Sequence, residues 1–257
     1  MTTFPEIDQV EFTQDELLAD ATASYQRYVA SQSEALLERT QEFVDLVTAG
    51  DVDGAKALFP IARTYWERIE PVAEIFGDLD PMIDGREEVI EDGMEFTGYH
   101  RLERDLWQDG LQPDSSAIAA KLMVDVTEVV RLAGETELNA LQLANGAKAL
   151  LDEVATGKVT GEEDRYSHTD LYDFRANVDG SQAAIASLRP VLVERAPELV
   201  NVLDSRFAEL DELLEGHRVG DGFALYTDLT EAEVADLAAA VDAVSEPVSQ
   251  VAGAVAS

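Results

Sequence analysis

Apolar residues recur along most of the chain at the spacing of about 3.6 residues that is typical of amphipathic helices. No run of alternating apolar and polar residues bounded by turn residues favours a sheet. The pattern therefore predicts an all-α fold, built as two packed helical subdomains that each resemble a four-helix bundle. We expect a tail over residues 1–12 and one helical domain over 13–257, with approximate halves 13–157 and 158–257.

Capping and breaking residues indicate where the helices begin and end. Thr13 and Glu16 form a capping-box pattern, which predicts a first helix that ends at Gly50. A turn-rich stretch from Gly77 to Gly93 and a partly extended loop over 220–229 are expected between helices. Four further helices are predicted at approximately 55–75, 95–107, 115–133 and 138–156. The next begins at a capping box of Thr160 and Glu163 and ends at Pro190. Another runs from Pro197 to Gly216, and the last follows Thr230.

The charge balance limits the partners. The 257 residues include 53 acidic and 18 basic side chains, for a formal net charge of -35. Such a field repels nucleic acids and anionic membrane surfaces and concentrates cations. The alternative interpretation is a solvated surface adapted to salt.

The chain contains no cysteine, which excludes disulfides, thiolate metal sites and cysteine nucleophiles. The chain contains no apolar run of about 18 residues, so no transmembrane segment is predicted. We also expect the protein to be a monomer. The first six residues lack a basic region followed by an apolar run, so we expect a signal peptide to be absent or already removed.

The predicted third helix carries an imidazole and a carboxylate one turn apart. Phe96, His100, Glu103 and Trp107 follow one another at steps of four, three and four, which places them on one helical stripe. Side chains at this spacing can hold a single cation. The alternative is a hydrogen-bonded pair packed beside Trp107.

Two further helices carry acids that bear on the same question. Asp125 lies in the middle of an apolar stripe of the fourth helix, so it either meets a cation, an arginine or another donor, or stays protonated. Glu67 and Glu70 lie on a polar stripe of the second helix with Arg63. That stripe is either a solvated face or, if it turns toward His100, part of an oxygen-rich site with one nitrogen, which suits iron, manganese or zinc.

The segment from Gly161 to Leu171 concentrates acids and holds the second of three histidines. Asp164, His168 and Asp170 are candidates to bind or orient a ligand there. Taken alone, each of them is better interpreted as a helix cap, an ion pair or a hydrogen-bonding group.

These segments together resemble a known family. Gly98, His100 and Glu103 match the Gly-x-His-x-x-Glu signature of imelysin-like domains, and residues 96–107 are similar to its EfeO/EfeM form. The resemblance covers roughly Tyr25 to Val248. The other segments that carry it, in matching order and at similar spacing, are 65–71, 76–80, 161–171 and 174–180.

The resemblance implies a periplasmic or cell-surface component of a bacterial iron-uptake system, acting with an iron permease and a haem peroxidase. The cargo would be iron as Fe²⁺ or Fe³⁺, with zinc, manganese or copper as surrogate ions. Because few residues precede the first helix and they include no Cys or His, we expect the short EfeM form without a cupredoxin domain. The implied metal ligands are His100, Glu103, Glu67, Glu70 and Asp125, with Arg63, Trp107, Asp164 and His168 around them.

Two rival functions follow from the same family. A peptidase is disfavoured because the three histidines are too scattered for a His-Glu-x-x-His motif and no Gly-x-Ser-x-Gly motif occurs. A polysaccharide-binding protein of the alginate type would need a divalent cation to bridge two polyanions. We therefore expect a metal-binding transport component that is not an enzyme.

Overall fold

The computed structural model describes residues 13–90 and 93–257, and this part of the chain is almost entirely helical, which confirms the all-α prediction. The predicted tail over 1–12 lies outside the described residues. The α-helices are α1 (Gln14–Ala49), α2 (Val52–Ile69), α3 (Leu79–Asp84), α4 (Gly98–Arg104), α5 (Ser115–Glu135), α6 (Ala140–Thr156), α7 (Asp170–Arg195), α8 (Pro197–Glu215), α9 (Glu231–Val248) and α10 (Val251–Ala256). The 3-10 segments are Glu70–Phe76, Lys158–Thr160 and Tyr226–Asp228, and a π-helical turn covers Asp105–Asp109.

Extended structure within the described ranges is limited to a small hairpin, in which Arg218–Val219 pairs antiparallel with Gly222–Phe223. None of the helices that the structure describes is both long and apolar enough to cross a bilayer.

The helices pack around one continuous apolar core. Helix α1 lies along α2 and α5, and α8 pairs with α9. Helix α7 contacts α1, α2 and α6, so it joins elements from both sides of residue 157. The division into halves at that position stays a prediction.

Local capping signals predicted several helix ends correctly. Thr13 and Glu16 form the capping box of α1, and Gly50 closes that helix in the left-handed region at φ 74°. Thr230 caps α9 in the same way, through Glu233. These contacts satisfy backbone donors that the first turn of a helix leaves free.

The helix that carries His100 begins later than predicted, at Gly98 rather than near Glu95. Gly98 has φ 75°, and a β-carbon there would lie 2.2 Å from the carbonyl oxygen of Ile83. Only glycine fits this turn, which fixes the start of α4 against α3. Phe96 therefore lies outside the helix, and its predicted place on a helical stripe is wrong. Trp107 lies in the π-helical turn and packs on Phe59.

The predicted second helix is divided. Helix α2 ends at Ile69, and a 3-10 segment begins at Glu70 with Pro71 in its first turn, where proline cannot donate the next helical hydrogen bond. The short helix α3 lies in the stretch that was expected to be turn-rich.

The predicted capping box of Thr160 and Glu163 is wrong. Thr160 belongs to a 3-10 turn, where its hydroxyl donates to the carbonyl of Gly157, and α7 begins only at Asp170. The Glu163 carboxylate faces inward, toward buried cations, and both Glu163 and Asp164 are buried, whereas Glu162 and Arg165 stay exposed. Helix α7 also runs through Pro190 to Arg195 instead of stopping there.

Candidate metal centre

His100 is held at the first turn of α4 and is only 2% exposed. Its neighbour Tyr99 anchors the same turn on the opposite side, where its hydroxyl hydrogen-bonds to that of Thr40 at 2.7 Å. Together with the backbone of Gly98 against α3, this contact fixes the direction of the imidazole.

The two nitrogens of the His100 ring have different surroundings. Nδ1 is hydrogen-bonded to Glu103 Oε2 at 2.9 Å. Nε2 lies 3.6 Å from Asp84 Oδ1 and 3.8 Å from Glu163 Oε1, and it has no hydrogen-bond partner among the residues that the structure describes. A buried ring nitrogen without a hydrogen-bond partner destabilises the folded protein unless another group binds to it.

Glu103 is buried, and the carboxylate oxygen that does not bond to His100 is held by three other donors. Oε1 accepts hydrogen bonds from the backbone N–H of Tyr166 at 2.9 Å, from the N–H of Ser167 at 2.8 Å and from the Ser167 hydroxyl at 2.9 Å. Glu103 thus ties α4 to the loop before α7.

Arg63 on α2 is completely buried at the centre of the acids. Its Nη1 donates to Asp164 and to Asp173, each at 2.6 Å, and its Nη2 donates to Glu67 at 2.7 Å and to Asp84 at 2.8 Å. One guanidinium therefore holds carboxylates from α2, α3, α7 and the loop before α7.

The stripe of Glu67 and Glu70 turns inward instead of facing solvent. The buried Lys158 ammonium donates to Glu67 Oε2 at 2.7 Å and to Glu70 Oε2 at 2.9 Å, and the Asn177 amide donates to the same two carboxylates. Both predicted ligands therefore lie beside Lys158, outside the groups that surround His100.

The other predicted site residues differ in whether they lie close to His100. Asp164 lies beside Arg63 and His100, as the interpretation of its segment anticipated. Asp125 on α5 is paired with Lys121 of the same helix and does not join the groups around His100. His168 takes a left-handed backbone conformation, with φ 58°, and its carbonyl accepts from the N–H of Tyr226.

Two groups of side chains in the described residues have the spacing to hold a metal ion. One is Asp84, His100 and Glu163, and the other is His100, Glu103 and Asp164. Sequence reasoning missed Asp84 and Glu163 as ligands. Their only signals were the acid before Gly85 in a turn-rich stretch and the acidic run that opens at Glu162.

The carboxylates outnumber the permanent cations, and the pKa values reflect this excess. Burial and the nearby Glu67 and Glu163 raise the pKa of Asp84 to about 7, although Arg63 opposes the change. Burial, Glu103 and Asp170 likewise raise the pKa of Asp164 to about 7. Burial also raises the pKa of Glu163, but Lys158, His100 and Arg63 lower it well below its usual range.

His100 itself is held as a cation. Burial and the charge of Arg63 lower its pKa, but the hydrogen bond to Glu103 and the nearby carboxylates of Glu163 and Asp84 outweigh them and raise it to about 10. The ring therefore carries two protons at neutral pH when only protein groups surround it.

Two openings reach the cluster from the surface. A cavity of about 530 Å³ has Asp84 and Glu163 in its wall, together with the acids Glu70, Asp80 and Glu153. A much narrower cleft of about 10 Å³ reaches His100 and Glu103 past Arg86, Arg165 and Tyr166. The charged residues of the wider opening are six acids and one arginine, Arg86, so it favours cations over anionic chelates.

Comparisons with known proteins agree with the motif. A sequence model of the imelysin family matches residues 21–251. The chain is 41% identical over 239 residues to the iron uptake system component EfeO of Escherichia coli strain K12 and to that of Shigella flexneri. Each alignment covers 92% of this chain and 64% of the relative, so the chain spans less than two thirds of the length of these relatives.

Proposed function

The chain belongs to the imelysin family, and from this premise we propose that it is an extracytoplasmic component of a bacterial iron-uptake system. In this proposal it binds iron in the acidic cluster around His100 and passes the ion to a membrane permease. The relatives named as iron uptake system components support a role in iron uptake. The chemistry of the cluster supports iron as the bound ion.

The observation that carries the proposal is the Nε2 atom of His100. It is buried and lacks a hydrogen-bond partner in the described part of the chain, and it faces the carboxylates of Asp84 and Glu163 at 3.6 and 3.8 Å. A divalent or trivalent cation between these atoms satisfies the nitrogen and both acids at once. An imidazole with several carboxylates is a donor set that suits iron and manganese, and zinc and copper are reasonable surrogates.

The raised pKa values support the same conclusion. Asp84 and Asp164 resist ionisation because they are buried among other acids. A cation added to the cluster stabilises their charged forms and lowers the free energy of the site. Strongly perturbed carboxylates in a buried cluster are typical of functional sites.

The arrangement favours binding over hydrolysis. In a hydrolytic triad, a histidine stands between the nucleophile and the acid. In this cluster Glu103 stands between Ser167 and His100, so the imidazole does not contact the Ser167 hydroxyl. We therefore propose a transport role without enzymatic activity.

The cellular setting and the partners are proposed from the resemblance to the EfeO/EfeM form. The protein would act in the periplasm or at the cell surface as a monomer, with an iron permease and a haem peroxidase as its partners. A cargo carrier must release its ion, and carboxylate-rich sites completed by water exchange their ions more readily than closed thiolate sites.

Metal titration tests the function. We expect the full chain to bind Fe²⁺ under anaerobic conditions at a single tight site, and the His100→Ala variant to lose that site while its circular dichroism is retained. His217→Ala is the matched control, because His217 lies after α8 and outside both groups around His100. Equal iron affinity in wild type and His100→Ala would refute the proposal, and a uronate oligomer that binds only with metal would favour the polysaccharide alternative.

A further inference from the structure

The two ring nitrogens of His100 divide the surrounding acids into two sets. Nδ1 faces Glu103 at 2.9 Å and Asp164 at 4.0 Å. Nε2 faces Asp84 and Glu163. The two candidate groups therefore require opposite nitrogens, and an ion occupies one of them at a time.

The Nδ1 side is already satisfied by the protein. Glu103 Oε2 bonds to Nδ1, and Glu103 Oε1 accepts three donors from Tyr166 and Ser167. Asp164 is likewise bound at both oxygens, by Arg63 and by the Thr169 hydroxyl. An ion between Nδ1 and Glu103 would have to break the hydrogen bond between them and disturb the three contacts that hold the carboxylate.

The Nε2 side has unused coordinating capacity. No described residue donates a hydrogen bond to the Glu163 carboxylate. Arg63, Lys158, His100 and Arg86 surround it at 3.7, 3.8, 3.8 and 3.5 Å, beyond hydrogen-bonding distance. Asp84 Oδ1 is bound by Arg63, and Asp84 also lines the wide cavity.

The spacing on this side is close to what coordination requires. Ligand atoms about 2.1 Å from a metal ion are separated by about 3.0 Å at right angles and about 3.4 Å in a tetrahedron. The distances from Nε2 to Asp84 and Glu163, 3.6 and 3.8 Å, exceed the tetrahedral value by a few tenths of an ångström and the right-angle value by less than about 1 Å. Small side-chain movements close that gap without disturbing Glu103.

We propose that His100 Nε2, Asp84 and Glu163 contact the ion, and that Glu103, the acid of the sequence motif, is a positioning residue that does not. This assignment rests on the proposed function. Glu103 holds the Nδ1 proton, and in doing so it fixes the ring orientation and makes Nε2 a better donor to the metal. Replacing an acid that is hydrogen-bonded to a metal-binding histidine typically weakens metal affinity about 10- to 100-fold.

Pulsed electron paramagnetic resonance of a bound Cu²⁺ surrogate separates ligands from positioning residues. The spectrum reports the ligands directly attached to copper and, separately, the remote nitrogen of a coordinated imidazole, which is Nδ1 in this assignment. In Glu103→Gln we expect unchanged copper ligands, an altered remote-nitrogen coupling and an affinity about 10- to 100-fold weaker. In Asp84→Asn and Glu163→Gln we expect the directly attached ligands to change.

Ser167→Ala provides a second variant, should Glu103→Gln fail to fold. It removes one donor from Glu103 and leaves the carboxylate in place. We expect weaker copper binding with the same attached ligands. His217→Gln is the control for stray copper on other histidines and should leave the spectrum unchanged.

The outcomes distinguish this assignment from the proposed function. A change of the attached ligands in Glu103→Gln, with the remote-nitrogen coupling preserved, would overturn the positioning role while the metal site stands. Wild-type protein that binds neither iron nor copper at His100 would overturn both.

Discussion

Arg63 Nη1 lies 2.6 Å from Asp164 Oδ1, although the two residues are 101 positions apart in the sequence. The same guanidinium also bonds to Glu67, Asp84 and Asp173, and it has no exposed surface. The acids around His100 are therefore brought together by a cation that belongs to the protein. Without it, the carboxylates would repel one another too strongly to stay buried.

Replacing Arg63 with methionine should destabilise the fold strongly. The change keeps much of the volume and leaves buried carboxylates unpaired, for which a cost of about 3–5 kcal/mol is typical. Urea denaturation of the metal-free protein measures the loss. Arg131→Met is the matched control, because Arg131 pairs with Glu128 and Glu135 on an exposed face. Similar midpoints for the two variants would show that Arg63 does not hold the cluster together.

Gly98→Ala should both destabilise the protein and weaken metal binding. A β-carbon at this position meets the Ile83 carbonyl at 2.2 Å, so α4 must move away from α3, which carries Asp84. Gly50→Ala provides the comparison. Gly50 has nearly the same φ, 74°, but no atom lies within 4 Å of its added β-carbon, so only the left-handed conformation is penalised, by about 1 kcal/mol.

Thermal unfolding and metal titration of both glycine variants test this reasoning. We expect Gly50→Ala to keep wild-type metal affinity and Gly98→Ala to lose at least part of it. Equal effects of the two substitutions would mean that the close approach of α4 to α3 does not position the site.

The sequence predicted those features of the fold that depend on neighbours in the chain. Helix periodicity, the Thr13 cap, the start of the last helix after Thr230 and the close pairing of His100 with Glu103 each involve residues within four positions of one another. The two proposed ligands it missed, Asp84 and Glu163, depend on distant partners. Glu163 turns inward because Arg63 and Lys158 attract it, and this overrides the local capping pattern with Thr160.

Asp84 escaped prediction for a related reason. It ends a helix of six residues, which is too short for a periodic pattern to show. Asp125 illustrates the converse. Its place in an apolar stripe correctly indicated a need for a cationic partner, but Lys121 of the same helix meets that need.

Asp125→Asn should therefore leave iron affinity within about twofold of wild type, whereas Asp84→Asn should weaken it at least about tenfold. The reason is that Asp125 is engaged by Lys121 and lies outside both groups around His100. Competition with a metal-binding dye measures both affinities. If Asp125→Asn weakened iron affinity as much as Asp84→Asn does, Asp125 would again be a candidate ligand.

Metal binding should release protons and strengthen as the pH rises. Burial and Arg63 lower the pKa of His100, but the hydrogen bond to Glu103 and the nearby carboxylates of Glu163 and Asp84 outweigh them and hold it at about 10. An ion on Nε2 must then displace a proton at any pH below that value. The apparent affinity should rise about tenfold for each pH unit up to about pH 10.

A second proton adds to this dependence in the acidic range. Burial holds the pKa of Asp84 at about 7, so below that pH the ion must displace its proton too, and the slope should approach about a hundredfold per unit. Calorimetry with Zn²⁺, at about pH 6 and about pH 8 in buffers of different ionisation enthalpy, counts the released protons. In Asp84→Asn the slope below pH 7 should fall to that of His100 alone. An affinity that stays constant between the two pH values would show that His100 does not bind the ion through Nε2, because a doubly protonated ring cannot coordinate a metal without losing a proton.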